Sequence, residues 1–215
     1  WNIDREHGRF VLTAGIRAHF WSFNRQLTVS PRSTLQYKPL AAPRWVFRAS
    51  AGMYHQHPFY RELRDFHGVL NAEIRAQESI HFVLGADYHF TAWDRPFKYT
   101  AELYYKHLNH LIPYELDNVR IRYYAENLAR GYAAGLDMKI HGEFVPGVDS
   151  WMSLSLMDTR EKIRGAFYTD SEGNQTPAGY IPRPTDQRLN VNIFFQDFLP
   201  RNPSYKVQLA FVFGT

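Results

Sequence analysis

Residues 79–90 read Ser79-Ile80-His81-Phe82-Val83-Leu84-Gly85-Ala86-Asp87-Tyr88-His89-Phe90, and their alternation decides the fold class. Sorted by parity, one set is Ile80, Phe82, Leu84, Ala86, Tyr88 and Phe90, and the other is Ser79, His81, Val83, Gly85, Asp87 and His89. Successive side chains of a β-strand point to opposite faces, so the pattern predicts a strand with one apolar and one polar side.

The same template recurs outward in both directions. The following run sets Phe97, Tyr99, Ala101, Leu103 and Tyr105 against Lys98, Thr100, Glu102, Tyr104 and Lys106. Residues 10–21, 27–38, 45–54, 133–143, 151–158, 189–198 and 205–213 complete a set of nine expected strands. Their apolar faces, such as Ala134, Leu136, Met138 and Ile140 or Tyr205, Val207, Leu209, Phe211 and Phe213, stay uncharged until Asp158 and Asp197 at run ends. The opposite faces hold Arg17, His19, Arg32, Arg48, Asp87, Glu102, Asp137, Lys139, His141 and Glu143.

One apolar and one polar face also suits a soluble sandwich or barrel. Two features point instead to a membrane. Most runs exceed the roughly 5–6 residues of an average soluble strand and approach the about 9–11 of a tilted membrane-crossing one. The connections also alternate in length: 39–44, 91–96, 145–150 and 199–204 are short and contain proline, while 55–72, 109–130 and 160–188 are long. An up-and-down barrel places every second connection on one rim, which gives tight turns on one side and long loops on the other. Only the short link 23–26 falls on the long-loop side.

Aromatics reach 16%, with 16 Phe, 14 Tyr and 5 Trp. Tyr88, Phe90, Trp93 and Phe97 flank one expected turn, and Phe144 and Trp151 another, where an interfacial girdle belongs. Mean hydropathy is −0.44 and no run of eighteen apolar residues occurs, which excludes a transmembrane helix. The absence of cysteine excludes a disulfide framework and thiolate metal sites. The net charge of +4 is spread without a basic block, which gives no case for nucleic acid. The first residues lack a secretion signal, and nine strands is an odd count for a bacterial barrel. Residues 1–215 are therefore expected to be one partial domain of an all-β, antiparallel up-and-down transmembrane barrel, without plug, first strands or closing strand.

Several segments resemble the C-terminal barrel region of TonB-dependent outer-membrane receptors, particularly those of the Bacteroidetes. They are Gly15-Ile16-Arg17, Ser30-Pro31-Arg32 with Leu35-Gln36-Tyr37-Lys38, and Gly52-Met53-Tyr54 with Pro58-Phe59-Tyr60-Arg61-Glu62-Leu63. Leu84-Gly85-Ala86-Asp87-Tyr88, Lys98-Tyr99-Thr100-Ala101-Glu102, Ala134-Gly135-Leu136-Asp137 and Arg183-Pro184-Thr185-Asp186-Gln187-Arg188 follow in order. The resemblance implies a plugged barrel of about 22 strands in the bacterial outer membrane. It further implies import of a small molecule, glycan or peptide powered through the TonB complex, with outer-membrane lipid and possible capture by a surface lipoprotein as further partners. It puts the long links outside and the tight turns in the periplasm.

No phosphate loop, Gly-x-Ser-x-Gly elbow or His-Glu-x-x-His occurs, and no cofactor or enzyme activity is expected. The histidine pairs His55 and His57, His107 and His110, and His81 and His89 lack a sequence-local third ligand, so no metal site is expected. Asp87 and Glu102 could share a lumen site of an outer-membrane hydrolase, or pair with Lys98 or Lys139 as part of the wall. The other alternative is a soluble lipocalin-like or lectin-like binding module. Ligand contacts are expected from loop aromatics and cations: Tyr60, Arg61 and Arg64 in the first long link, Tyr114, Tyr123 and Tyr124 in the second, Tyr168 and Tyr180 in the third.

Overall fold

The computed structural model describes residues 2–5, 8–199 and 201–215, with side chains from residue 8 onward except that of Pro203. The strands are β1 (Asn2–Arg5), β2 (Gly8–Trp21), β3 (Gln26–Pro39), β4 (Trp45–Gln56), β5 (Gln77–Ala92), β6 (Arg95–Leu111), β7 (Tyr114–Asp117), β8 (Arg120–Tyr123), β9 (Ala129–Val145), β10 (Val148–Ile163), β11 (Phe167–Thr169), β12 (Gln175–Pro177), β13 (Ile181–Pro182), β14 (Leu189–Leu199) and β15 (Asn202–Gly214). No helix occurs among the described residues.

All nine expected strands are present, as β2, β3, β4, β5, β6, β9, β10, β14 and β15. They pair antiparallel with their sequence neighbours in one up-and-down sheet, with β1 added beside β2 and β13 beside β10. The links between β3 and β4, β5 and β6, β9 and β10, and β14 and β15 thus share one rim, and the long links share the other. Two tight turns follow from their residues. Trp93 and Asp94 both take positive φ, as the twist of a two-residue hairpin requires, and Gly147 does the same at φ 78° after Pro146.

The register is continuous from strand to strand. Leu12, Leu35, Ala49, Leu84, Leu103, Leu136, Leu156 and Leu189 are successive cross-strand partners, so one apolar row crosses eight strands. One residue along, Gln36, Arg48, Gly85, Glu102, Asp137, Ser155 and Asn190 form an equally unbroken row on the other face. A slip of one position between any two strands would put both rows on the wrong side. Among the described residues no layer packs on the apolar face: Leu84, Leu103 and Leu209 are each more than half exposed.

Aromatics gather at the tight-turn rim. Trp45 lies against Tyr88, Tyr88 stacks on Phe90 and Phe90 on Phe97, with centroids 4.7, 5.6 and 5.5 Å apart, and Phe144 meets Phe97 edge-on at 5.1 Å. Trp151 corrects the expected girdle. It pairs across the ladder with His141 and Phe194 and carries the Lys139 ammonium 4.8 Å above its ring, so it belongs to the polar face. Its odd number in β10 puts it opposite Met152, Leu154 and Leu156.

Glycine 142 lets this cluster close. A Cβ there would lie 2.5 Å from the Phe97 ring and 2.7 Å from the Pro96 carbonyl, so the buried Phe97 ring occupies the space that a side chain would fill. Gly142→Ala should lower stability by about 1–3 kcal/mol, the usual range for an overpacked site. The penalty should shrink in a Phe97→Leu background, as a double-mutant cycle of urea unfolding midpoints would measure.

Candidate ligand-binding loops

The first long loop, 57–76, is held by its own turns and by the loop beside it. Glu62 accepts a bond from the Phe59 amide at 2.7 Å, and Asp65 accepts from the amides of His67 and Val69, both at 2.8 Å. Arg64 donates to the Tyr60 hydroxyl at 3.1 Å and to the Gly68 carbonyl at 2.8 Å. Leu63, Ile74 and Ile112 form a buried apolar cluster that joins the first loop to the second, with Trp21 and Tyr123 packed on it. Asn127 adds a polar clasp, accepting from the Arg75 amide and donating to the carbonyls of Arg75 and His110.

The short link between β2 and β3 belongs to the same arrangement. Asn24 donates to the Ile74 carbonyl at 2.7 Å, and Gln26 accepts from the Ala76 amide at 2.9 Å. A longer link there would occupy the ground on which the 57–76 loop rests.

A cleft of about 490 Å³ opens between this loop and the hairpin of β7 and β8. It is walled by Tyr60, Arg61, Arg64 and Phe66 on one side and by Arg120, Arg122 and Tyr123 on the other. The Arg64 and Arg122 guanidinium groups lie 5.1 and 4.7 Å over the Tyr60 and Phe66 rings. Stacking holds these cations in place, and Arg122 also pairs with the Asp117 carboxylate at 3.3 Å. The only carboxylate in the cleft is Asp65, which is engaged by loop amides. Burial, and then the nearby Glu62 carboxylate, push the Tyr123 phenol above its ordinary pKa, so it stays protonated as a hydrogen-bond donor. The arrangement offers cationic and aromatic surface to an anionic or ring-bearing ligand.

Of the eight residues expected to touch ligand, four meet in this cleft: Tyr60, Arg61, Arg64 and Tyr123. Tyr114 stands 5.7 Å from Tyr123 and lines, with it, an adjoining cleft of about 480 Å³. Tyr124 packs edge-on against Phe66, behind the cleft. Tyr168 projects from the separate hairpin of β11 and β12, where amide bonds from Asn174 and its neighbours hold the Asp170 carboxyl below the ordinary carboxylate range. Tyr180 lies 5.7 Å from Tyr132, itself stacked 6.3 Å from Tyr105 on the apolar face, and so sits away from the cleft. Phe66, Arg120 and Arg122 were missed. The Asp117-Asn118 turn, with Asn118 at φ 55°, was the signal that a hairpin would raise the two arginines.

On the polar face of the sheet, Asp87 is nearly fully buried among cations. Arg48 donates to both of its carboxylate oxygens and to Glu102 at 2.9 Å, while Lys98 lies 3.0 Å and the Thr100 hydroxyl 2.9 Å away. Gly85, between Arg48 and Glu102 in the cross-strand row, leaves room for the guanidinium to pass over it. Both oxygens of Asp87 are engaged, and through Arg48 the two carboxylates brace three strands. No group of three or more His, Asp or Glu able to hold a metal occurs among the described residues.

No protein-family model matches the sequence, and no curated protein matches it.

Replacing Asp87 by Asn should destabilise the sheet by about 1–3 kcal/mol, because two cations lose their common partner. Urea unfolding at pH 7 measures it, with Thr100→Val as the milder comparison.

Proposed function

We propose that this chain is barrel wall and outer loops of a TonB-dependent outer-membrane receptor, with the apolar face toward lipid, the polar face toward the lumen and the long loops outside. The observation that carries the membrane part is the uncharged row from Leu12 to Leu189, in which Leu12, Leu35, Leu84, Leu103 and Leu156 are exposed, while the opposite face braces itself with Arg48, Asp87 and Glu102. In water such a face would be an aggregation surface. In a bilayer it is the solvent-matched side of a wall whose backbone groups are paired between strands. Strands of 11–17 residues support the same reading.

In this reading the cleft between the 57–76 loop and the β7–β8 hairpin receives the ligand, and Tyr60, Arg61, Arg64 and Tyr123 touch it. Import follows from binding there, with energy delivered by the TonB complex through other parts of the receptor. A surface lipoprotein that delivers ligand to the loops would meet the same rim. The family assignment rests on the resemblance of ordered segments, and the membrane assignment on the two faces.

The chain has no cysteine, so single cysteines can be introduced and spin-labelled at residues 207–211 in lipid vesicles. Positions 207, 209 and 211 should collide with oxygen and be shielded from a water-soluble nickel chelate, while 208 and 210 should show the reverse. Equal access of the nickel chelate to both sets overturns the membrane reading. Leu103→Arg should cost about 2–4 kcal/mol of insertion stability if the residue sits near mid-bilayer.

A further inference from the structure

A second recess opens on the polar face below the first long loop, about 230 Å³ in volume, where β2, β3 and β4 meet. It gathers two arginines and three histidines: Arg17, His19, Arg32, His55 and His57. No carboxylate lines it. Arg17 is the cross-strand partner of Ser30, and His19 that of Thr28, so the register of the β2–β3 hairpin puts both side chains on one side. Arg32 is flanked across its two ladders by Gly15 and Gly52, which leaves the floor low around it. Its guanidinium lies over the Tyr54 ring at 5.2 Å and forms no ion pair among the described residues.

The three histidines stand around this space with different partners. Glu78 lies 3.3 Å from His55 Nε2, and Ser30 Oγ lies 3.0 Å from His55 Nδ1, so the two ring nitrogens of His55 are both engaged. His19 and His57 share one bond between their Nδ1 atoms at 3.2 Å. His57 Nε2 is buried and has no hydrogen-bond partner among the described residues. Like-charged and partnerless groups brought together this way cost free energy unless something compensates them.

We propose that this recess is an oxyanion site that takes a phosphate-type group, held by Arg17 and Arg32 and by the ring N–H groups of His19 and His57. A tetrahedral dianion matches two guanidinium forks and N–H donors at short range. Phosphate could reach the site free or as part of a larger ligand, and the recess recognises the group either way. The site lies on the polar face, so it does not require the opposite face to contact lipid.

Burial, and then His19 and His55, hold the His57 imidazole below its ordinary pKa, so it is neutral at pH 7. The charged and titratable groups around it are Arg17 and His19 from β2, Arg32 from β3, Tyr54 and His55 from β4, and Glu78 and His81 from β5. A bound dianion favours the imidazolium, so phosphate should raise the apparent pKa of His57. By the same linkage, binding should tighten as pH falls from 8 to 6.

The test uses the full chain in detergent micelles, titrated with inorganic phosphate against sodium chloride at matched ionic strength. The readouts are histidine ring NMR resonances and the fluorescence of Trp21, which lies 5.1 Å from the His57 ring. Phosphate should shift the His19 and His57 resonances saturably, with a midpoint on the order of millimolar. Arg17→Gln and Arg32→Gln should each weaken binding roughly ten-fold. Arg17 is exposed and makes no ion pair among the described residues, so Arg17→Gln remains informative if the Arg32 variant does not fold. A glucose 6-phosphate arm with the same midpoint assigns the recess to the phosphate group, and a tighter one assigns it to a phosphorylated organic ligand. A response equal to that of chloride, or unchanged in Arg17→Gln, overturns the proposal. Saturable binding together with a failed spin-label scan would overturn the membrane reading and leave this site standing.

Discussion

Everything in this molecule depends on the register of the antiparallel ladder. Each long strand takes its backbone partners from its sequence neighbours, so the sheet is extended by one strand at a time without crossover. Because side chains alternate, fixing the register between Leu84 and Leu103 also fixes that between Gly85 and Glu102. Hydrophobic contact along one row and ion pairing along the next therefore reinforce the same alignment. Neither could shift without breaking the other.

The two faces handle their side chains by different physics. On the apolar side, leucines and phenylalanines such as Leu84, Leu103 and Phe211 stand exposed with no layer packed over them among the described residues. On the polar side, charges are brought close and must be compensated, and the Arg48, Asp87, Lys98 and Glu102 group achieves this across three strands. Asp87 is buried because its partners close around it, which is the condition under which an ion pair contributes to specificity of alignment more than to raw stability. The recess around His57 lacks that compensation, and the contrast between two charge clusters on one face is what gives the recess its chemical interest.

The loops are built as a third layer of organisation. The buried cluster of Leu63, Ile74 and Ile112 gives the first and second loops a small core of their own, so that the cleft walls are held by packing as well as by turns. Placing Arg64 over Tyr60 and Arg122 over Phe66 fixes both cations, and Asp117 adds an ion pair to Arg122. Recognition surfaces made in this way lose less entropy on binding than free arginines would.

Sequence alone determined the nine strands, their two faces and the alternation of short and long links, because period-2 patterning is a local property that each strand carries within itself. It underestimated strand ends on the loop side. The run at 133–143 extends to Ala129–Val145, and that at 151–158 to Val148–Ile163, since Arg130, Arg160 and Lys162 interrupt the apolar face while the backbone goes on pairing. Only tertiary structure decided which loop residues meet. Tyr60 and Tyr123 are 63 positions apart in the chain, and nothing in the intervening residues encodes that a hairpin turned by Asn118 will face the first loop. The gathering of His19 with His57, and the separation of Tyr180 from the cleft, have the same origin. Side-chain neighbours across strands and loops are set by register and by packing of distant segments, and those are properties of the assembled sheet.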